Sequence, residues 1–261
     1  VTEQIEEPKV FQKKITNQIT STTGALAPQK RPTLDSMKAD EISMSSELLR
    51  KSIHLASLSI PIVYFYVTRP TALWILTPML VFSLSIDILR HYIPGLKKIV
   101  DKIFKDMLRP HERGQTGILL SGATYVLMSA TLCVFLFPKV IAISAFAILI
   151  ISDASSALFG RAYGKHKFLD KSLEGSIAFV ITAWLVVLIA PKVTGSYAEY
   201  IIGGIAAIIG GVVEAASVRI HFDDNLSVPL SIGLSMWGLY FLLSLVDPGT
   251  FGGLYQQLLN H

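Results

Sequence analysis

The chain has 261 residues, 51% of them hydrophobic and only 16% charged, with a mean hydropathy of +0.53; that balance excludes an ordinary soluble domain and points to an integral membrane protein. The formal net charge of +4 belongs, in such a chain, in loops facing anionic headgroups, which argues against nucleic-acid binding. A single cysteine, Cys133, inside an apolar run excludes an internal disulfide framework and a multi-cysteine zinc cluster.

Residues 1–45 are polar, punctuated by Pro8, Pro28 and Pro32, and read as a flexible tail without a secretory-signal pattern. Residues 46–261 read as one polytopic catalytic domain. Apolar stretches fall at about 52–67, 71–92, 116–137, 139–159, 173–191, 198–217 and 228–246, each near the roughly 20 residues that cross a hydrocarbon core. The expected fold is an all-α integral membrane protein with about seven transmembrane helices and a polar N-terminal tail. Tight connections at 67–71 and 137–139 predict helical hairpins. Between the second and third stretches, LKKIVDKIFKDML alternates Leu96, Ile99, Ile103 and Met107 with lysines, the pattern of an amphipathic helix at headgroup level.

Basic residues alternate between connections. Arg50 and Lys51, then Lys97, Lys98, Lys102, Lys105, Arg109 and Arg113, then Arg161, Lys165, Lys167 and Lys171 mark one side, against Arg69, Lys139 and Lys192 on the other. The positive-inside rule makes the first side, and the N-terminus, cytoplasmic. Glu47, Asp87, Glu112, Asp153, Glu174, Glu214, Asp223 and Asp224 then all fall at cytoplasmic ends or loops, while His261 lies outside.

Four constellations on that side can carry chemistry. Asp153 ends the run VIAISAFAILIIS, where a carboxylate is costly to desolvate and is a functional-site hypothesis by default. Asp153, Ala157, Gly160 and Gly164 share a helical face, forming either a small-residue groove for a ligand or a packing seam between helices. GRAYGKHK is not a Walker motif, because its glycines are too closely spaced and His166 replaces the magnesium-binding hydroxyl. Its backbone can still meet phosphate, with Lys165, Lys167 and Lys171 supplying charge, or its lysines can serve topology and lipid contact. In ELLRKSIH, Glu47, Arg50 or Lys51, and His54 recur at helical spacing, and in DILRH so do Asp87, Arg90 and His91. Each is a site fragment or an interfacial salt bridge. In HFDDNLSVPL, Asp223 and Asp224 suit magnesium or cap the next helix. His111, His166 and His221 read as solvated loop residues, and Tyr64, Phe65, Tyr66, Trp74 and Tyr92 as an interfacial aromatic belt.

Taken in order, these motifs resemble the CTP-dependent lipid kinase family that includes dolichol kinase, phytol kinase and CTP-dependent diacylglycerol kinase. The likeness spans about residues 47–246 and rests chiefly on SDASSALFGRAYGKHK followed by KSLEGSIA. It is supported by Arg50, Lys51 and His54, by Asp87 and Arg90, and by the Asp-Asp-Asn before the last stretch. The resemblance implies transfer of the CTP γ-phosphate, with Mg2+, to the hydroxyl of diacylglycerol, phytol or a polyprenol such as dolichol. It implies catalytic roles for Asp153, Asp87 and His54, and metal binding by Asp153, Asp223 and Asp224. Nucleotide contacts fall to Arg50, Lys51, Gly160, Gly164, Lys165, Lys167, Lys171, Glu174 and Gly175. The loop between Lys167 and Lys171 is shorter than in many members, and the extra spans of long dolichol kinases are missing. The partners implied are CTP, the lipid alcohol and the bilayer; a homo-oligomer is compatible with the sequence.

Two other functions compete. A phosphatidate cytidylyltransferase would use the same ligands but transfer CMP to make CDP-diacylglycerol; Lys171, Glu174 and Gly175 with the preceding glycine spacing favour the kinase. A membrane transporter would place its ionisable groups near the midplane of paired broken helices, whereas here they gather on one side.

Overall fold

The computed structural model describes residues 51–96, 98, 120–217, 219, 222–246 and 248–260, all within one compact unit, Ser43–His261. The tail, Glu47, Arg50, Glu112, His111, His221 and most of the amphipathic segment lie outside the described residues. In chain order the elements are α1 (Ser59–Tyr66), α2 (Arg69–Tyr92), α3 (Gly122–Leu136), α4 (Lys139–Tyr163), β1 (Lys167–Phe168), β2 (Lys171–Ser172), α5 (Leu173–Ile189), α6 (Tyr197–Ala216), α7 (Asp224–Val246) and α8 (Pro248–Asn260).

Among the described residues, α2, α4, α6 and α7 are long and apolar enough to cross a membrane, while α3 and α5 are apolar but shorter. At 1.5 Å per residue the 15 residues of α3 extend roughly 22 Å, short of a hydrocarbon core of about 30 Å. The first stretch is not one helix either. Residues 51–56 are helical, a turn follows at 57–58, and α1 begins at Ser59. Pro61 has no N–H to give the Ser57 carbonyl, so the helix restarts there, and Ile60 N–H bonds Ser57 O at 2.9 Å instead.

Both expected tight connections are present. Thr68 accepts from the Thr71 N–H at 3.4 Å to cap α2, whose first turn carries Pro70. Phe137 and Pro138 alone separate α3 from α4. Helix α4 is the centre of the bundle and packs against α1, α3, α5 and α7; α6 lies on α5 and α7, and α2 on α3. Its apolar sequence runs all round the helix, as a buried helix requires: 78% of its most apolar window is buried, against 17% for α2. Ile141, Ile148, Leu149 and Ile150 pack in one core with Phe137, Phe179 and Ile232.

Two features were not expected. The loop after α4 forms a two-stranded antiparallel ribbon, pairing Lys167 with Ser172 and Phe168 with Lys171, so the fold is helical with one small exception. Its turn holds Leu169 in left-handed conformation, φ 51°, which costs a non-glycine residue on the order of 1 kcal/mol. The chain also adds α8 beyond the last apolar stretch, burying Leu254 and Leu258 in a helix that packs on α7.

Candidate functional site: a buried ionic cluster at the helix ends

The cluster forms where the C-terminal parts of α4 and α6 meet the starts of α5 and α7. Asp153, on α4, is 6% exposed, and its carboxylate accepts from the Lys51 ammonium, which also reaches the Asp153 carbonyl at 3.4 Å. His54, one turn further along the 51–56 helix, places Nε2 3.5 Å from the same carboxylate oxygen. The three-residue spacing that puts Lys51 and His54 on one helical face brings both to one acid.

Lys171 forms the second half. The ribbon puts Lys167 and Lys171 on opposite faces; Lys167 is exposed and Lys171 turns inward. Its ammonium donates to Glu214 at the end of α6 and to Asp224 Oδ2, 3.3 Å away, at the start of α7. Ser156 Oγ, one turn beyond Asp153, donates to the same Glu214 oxygen at 3.1 Å. Asp153 interacts electrostatically with Lys51, Lys171 and His54, and Glu214 with Asp153, so the halves are one charge network. Burial by itself would lower the Lys171 pKa, but Asp224, Glu214 and Asp153 outweigh it and hold the ammonium above its ordinary value.

A dock fixes the ribbon. Asp170 N–H bonds the Ala215 carbonyl at 3.1 Å, and its carboxylate accepts from the Arg219 N–H at 3.1 Å and Nε at 3.0 Å. This ties the turn to the end of α6 beside Glu214.

The other residues singled out from sequence are spread around this centre. Gly160, Gly164 and Gly175 form the packing seam that was the alternative reading: a Cβ on Gly175 would stand 2.9 Å from Ser156 O and 3.2 Å from Gly160 Cα. Close helix contact alone accounts for glycine there. Glu174 accepts from His166 N–H at 3.2 Å and Nδ1 at 2.7 Å, bracing the loop. Lys165 is exposed, like Lys167. Asp223 takes the capping role, accepting from Asn225 N–H at 3.0 Å and its side-chain amide at 2.8 Å, which leaves Asp224 as the member of the pair in the cluster. Asp87 is buried with partners of its own; it accepts from Ser121 N–H at 2.7 Å and Thr124 Oγ1 at 2.6 Å and pairs with Arg90 at 3.2 Å, joining α2 to the start of α3. Tyr125 lies within electrostatic reach of both Asp87 and Asp223, so these acids flank the same end of the bundle.

Sequence reasoning passed over Glu214 as a site residue. The signal was there: Glu214 closes the apolar run IIGGIAAIIGGVVEAA, the same expensive placement that singled out Asp153. It also passed over Glu199, at the other end of α6. That carboxylate is completely buried and accepts from the N–H groups of Val193 (2.7 Å), Thr194 (2.9 Å), Gly195 (2.7 Å) and Ser196 (3.1 Å), and from Thr194 Oγ1 (2.8 Å) and Tyr240 (3.1 Å). The connection wraps the acid because Gly195 takes φ 76°, which glycine adopts without steric cost.

Among the described residues, no three His, Cys, Asp or Glu side chains close on one point as a metal cage. Magnesium does not need one, since it binds through one or two carboxylates and fills its octahedron with water and phosphate oxygens.

The chain is similar to the "Uncharacterized protein RP860" of Rickettsia prowazekii (strain Madrid E), 31% identical over 199 residues that cover 76% of this chain and 96% of that one. It is also similar to the "Uncharacterized protein MJ1137" of Methanocaldococcus jannaschii, 27% identical over 199 residues, 71% of this chain and 90% of that one. No protein-family profile matches the chain, and no solved structure does.

Proposed function

We propose that this chain, which belongs to the same family as the Rickettsia prowazekii protein, is a CTP-dependent lipid kinase that moves the γ-phosphoryl group of CTP onto the hydroxyl of a membrane lipid alcohol. The observation that carries this reading is the convergence of Lys51, His54, Asp153, Lys171, Glu214 and Asp224, from widely separated parts of the sequence, in one buried cluster. Lys171 comes from the ribbon between α4 and α5 and the others from helices around it, and a seven-span topology, with α1 and its preceding helical piece counted as one span, would put all of them on the same side. With the positive-inside rule, that side and the N-terminus are cytoplasmic.

In the reaction the lipid hydroxyl oxygen attacks the γ-phosphorus, the bond to the β–γ bridging oxygen breaks, CDP leaves with that electron pair, and the hydroxyl proton passes to a base. Such transfer is mainly a matter of positioning and charge. Lys51 and Lys171 exchange carboxylate oxygens for phosphate oxygens, with Lys165 and Lys167 extending the cationic side. His54 is the favoured base: imidazole suits proton acceptance near neutral pH, and Asp153 orients it. Asp87, the other candidate, already has three donors on its carboxylate and acts as a positioning residue. The hard oxygens of Asp153 and Asp224 fit Mg2+, which would neutralise charge on the β- and γ-phosphates when bound with the nucleotide.

The test uses purified protein in lipid vesicles with CTP labelled at either phosphate. Label from the γ-position is expected in the lipid product. Transfer of α-label with the cytidine would make the protein a cytidylyltransferase, and label in neither would end the reading. A panel of CTP and ATP against diacylglycerol, phytol and polyprenols then identifies the alcohol.

A further inference from the structure

Two ammonium groups, Lys51 and Lys171, face three carboxylates, Asp153, Glu214 and Asp224, in the described part of the cluster. Charge is expensive in such a place, and one of the carboxylates is only half satisfied. Glu214 is 1% exposed, and while its Oε1 takes both Lys171 and Ser156, its buried Oε2 has no hydrogen-bond partner among the described residues. A carboxylate oxygen stripped of water and given nothing in exchange costs on the order of 1–3 kcal/mol or more, and it sits at the C-terminal end of α6, where the helix dipole disfavours an anion.

We propose that the Lys171 ammonium is a tethered stand-in for a divalent cation: it holds Glu214 and Asp224 together until Mg2+ takes those two carboxylates and frees the lysine to meet phosphate. Glu214 thereby takes the place beside Asp224 that the kinase reading gave to Asp153, which stays with Lys51 and His54; the sequence reading gave the cation to Asp153, Asp223 and Asp224. The geometry fits a cation that uses two protein carboxylates and no cage. Lys171 is suited to exchange, because it is a flexible four-carbon arm on a ribbon held by Asp170 and Arg219 rather than by the lysine itself. The stand-in also explains how the apo protein tolerates the acids: removing the ammonium leaves buried carboxylates uncompensated, a large penalty. The inference rests on the kinase reading only for the identity of the cation, and its test contains neither nucleotide nor lipid.

In the wild-type protein in detergent, amine acetylation followed by mass spectrometry reads the release directly. Adding Mg2+ alone is expected to raise labelling of Lys171 several-fold relative to the exposed Lys165 and Lys167; unchanged Lys171 labelling would overturn the proposal. Lys171→Met and Lys171→Gln should bind Mn2+ about tenfold more tightly than wild type, seen as a larger cation-dependent rise in Tm, and adding Glu214→Gln should remove that gain. Folded Lys171 variants without the gain, or a gain that survives Glu214→Gln, also overturn it. Should the variants not be recovered folded, the wild-type labelling decides. Loss of γ-phosphate transfer with these results intact would fail the kinase reading and leave the cation exchange standing.

Discussion

Helix α6 carries a buried glutamate at each end, four turns and roughly 22 Å apart, and the two are built in opposite ways. Glu199, in the first turn, is saturated by four backbone N–H groups and two hydroxyls, and the helix dipole favours it. Glu214, in the last turn, is held by one lysine ammonium and one serine, with one oxygen unpaired among the described residues and the dipole against it. Burial of a charge therefore does not by itself mark a functional site. A carboxylate satisfied by fixed backbone dipoles is structure, whereas one satisfied by a side chain that can leave is available for exchange.

The largest effect that could break this contrast lies at the second centre. Asp153→Asn should cut lipid phosphorylation by about 1,000-fold or more, some 4 kcal/mol in the barrier, while helix content and membrane insertion stay unchanged. Near-normal turnover would detach the cluster from function. At the saturated end, Glu199→Ala should leave several buried donors unmet and cost about 3 kcal/mol of stability, read as a fall in Tm, yet the folded fraction should keep its KM for CTP. A changed KM would mean that both ends of α6 serve the site.

A pH titration of stability sharpens the same contrast. Lys171 sits above the ordinary lysine value of 10.5, so its stabilising contribution is complete below that value and is lost as pH rises through the raised one. Lys192, beside Glu199, is pushed below 10.5 by burial, which the nearby carboxylate only partly offsets; its penalty is present at neutral pH and is relieved as pH climbs toward 10.5. The Tm difference between wild type and Lys192→Met should therefore shift in favour of wild type below pH 10.5, and that for Lys171→Gln should shrink only above it. The smallest effect belongs to the ribbon: Leu169→Gly removes left-handed strain but adds chain entropy, for a net gain of about 0.5 kcal/mol. A loss instead would show that the Leu169 side chain supports the dock.

Much of this was legible because long apolar runs make simple patterns strict. The apolar stretches became helices, both tight connections fell where expected, and Lys51, His54, Asp153, Lys171 and Asp224 lie in one cluster. The failures have local causes. Pro61 broke the first stretch, a one-residue effect that a hydropathy window averages away. Helix α3 starts only at Gly122, where Ser121 caps it by accepting the Thr124 N–H, and α5 starts where expected but stops at Ile189, just before Pro191, so both are shorter than the apolar runs. Helix α8 was missed because its apolar residues Leu254, Tyr255 and Leu258 form only a narrow stripe among polar neighbours. Glu214 and Glu199 had the same sequence signature, a lone acid at the edge of an apolar helix, and only their partners tell them apart.

The contact between Gly160 and Gly175 has a consequence for the chemistry two turns away. Because backbone touches backbone there, the seam acts as a gauge block that sets how far Asp153 stands from the strand delivering Lys171. A single methyl group inserted at Gly175 would recalibrate the spacing of opposite charges without meeting either, so the cluster's tolerances are written in residues that have no side chain at all.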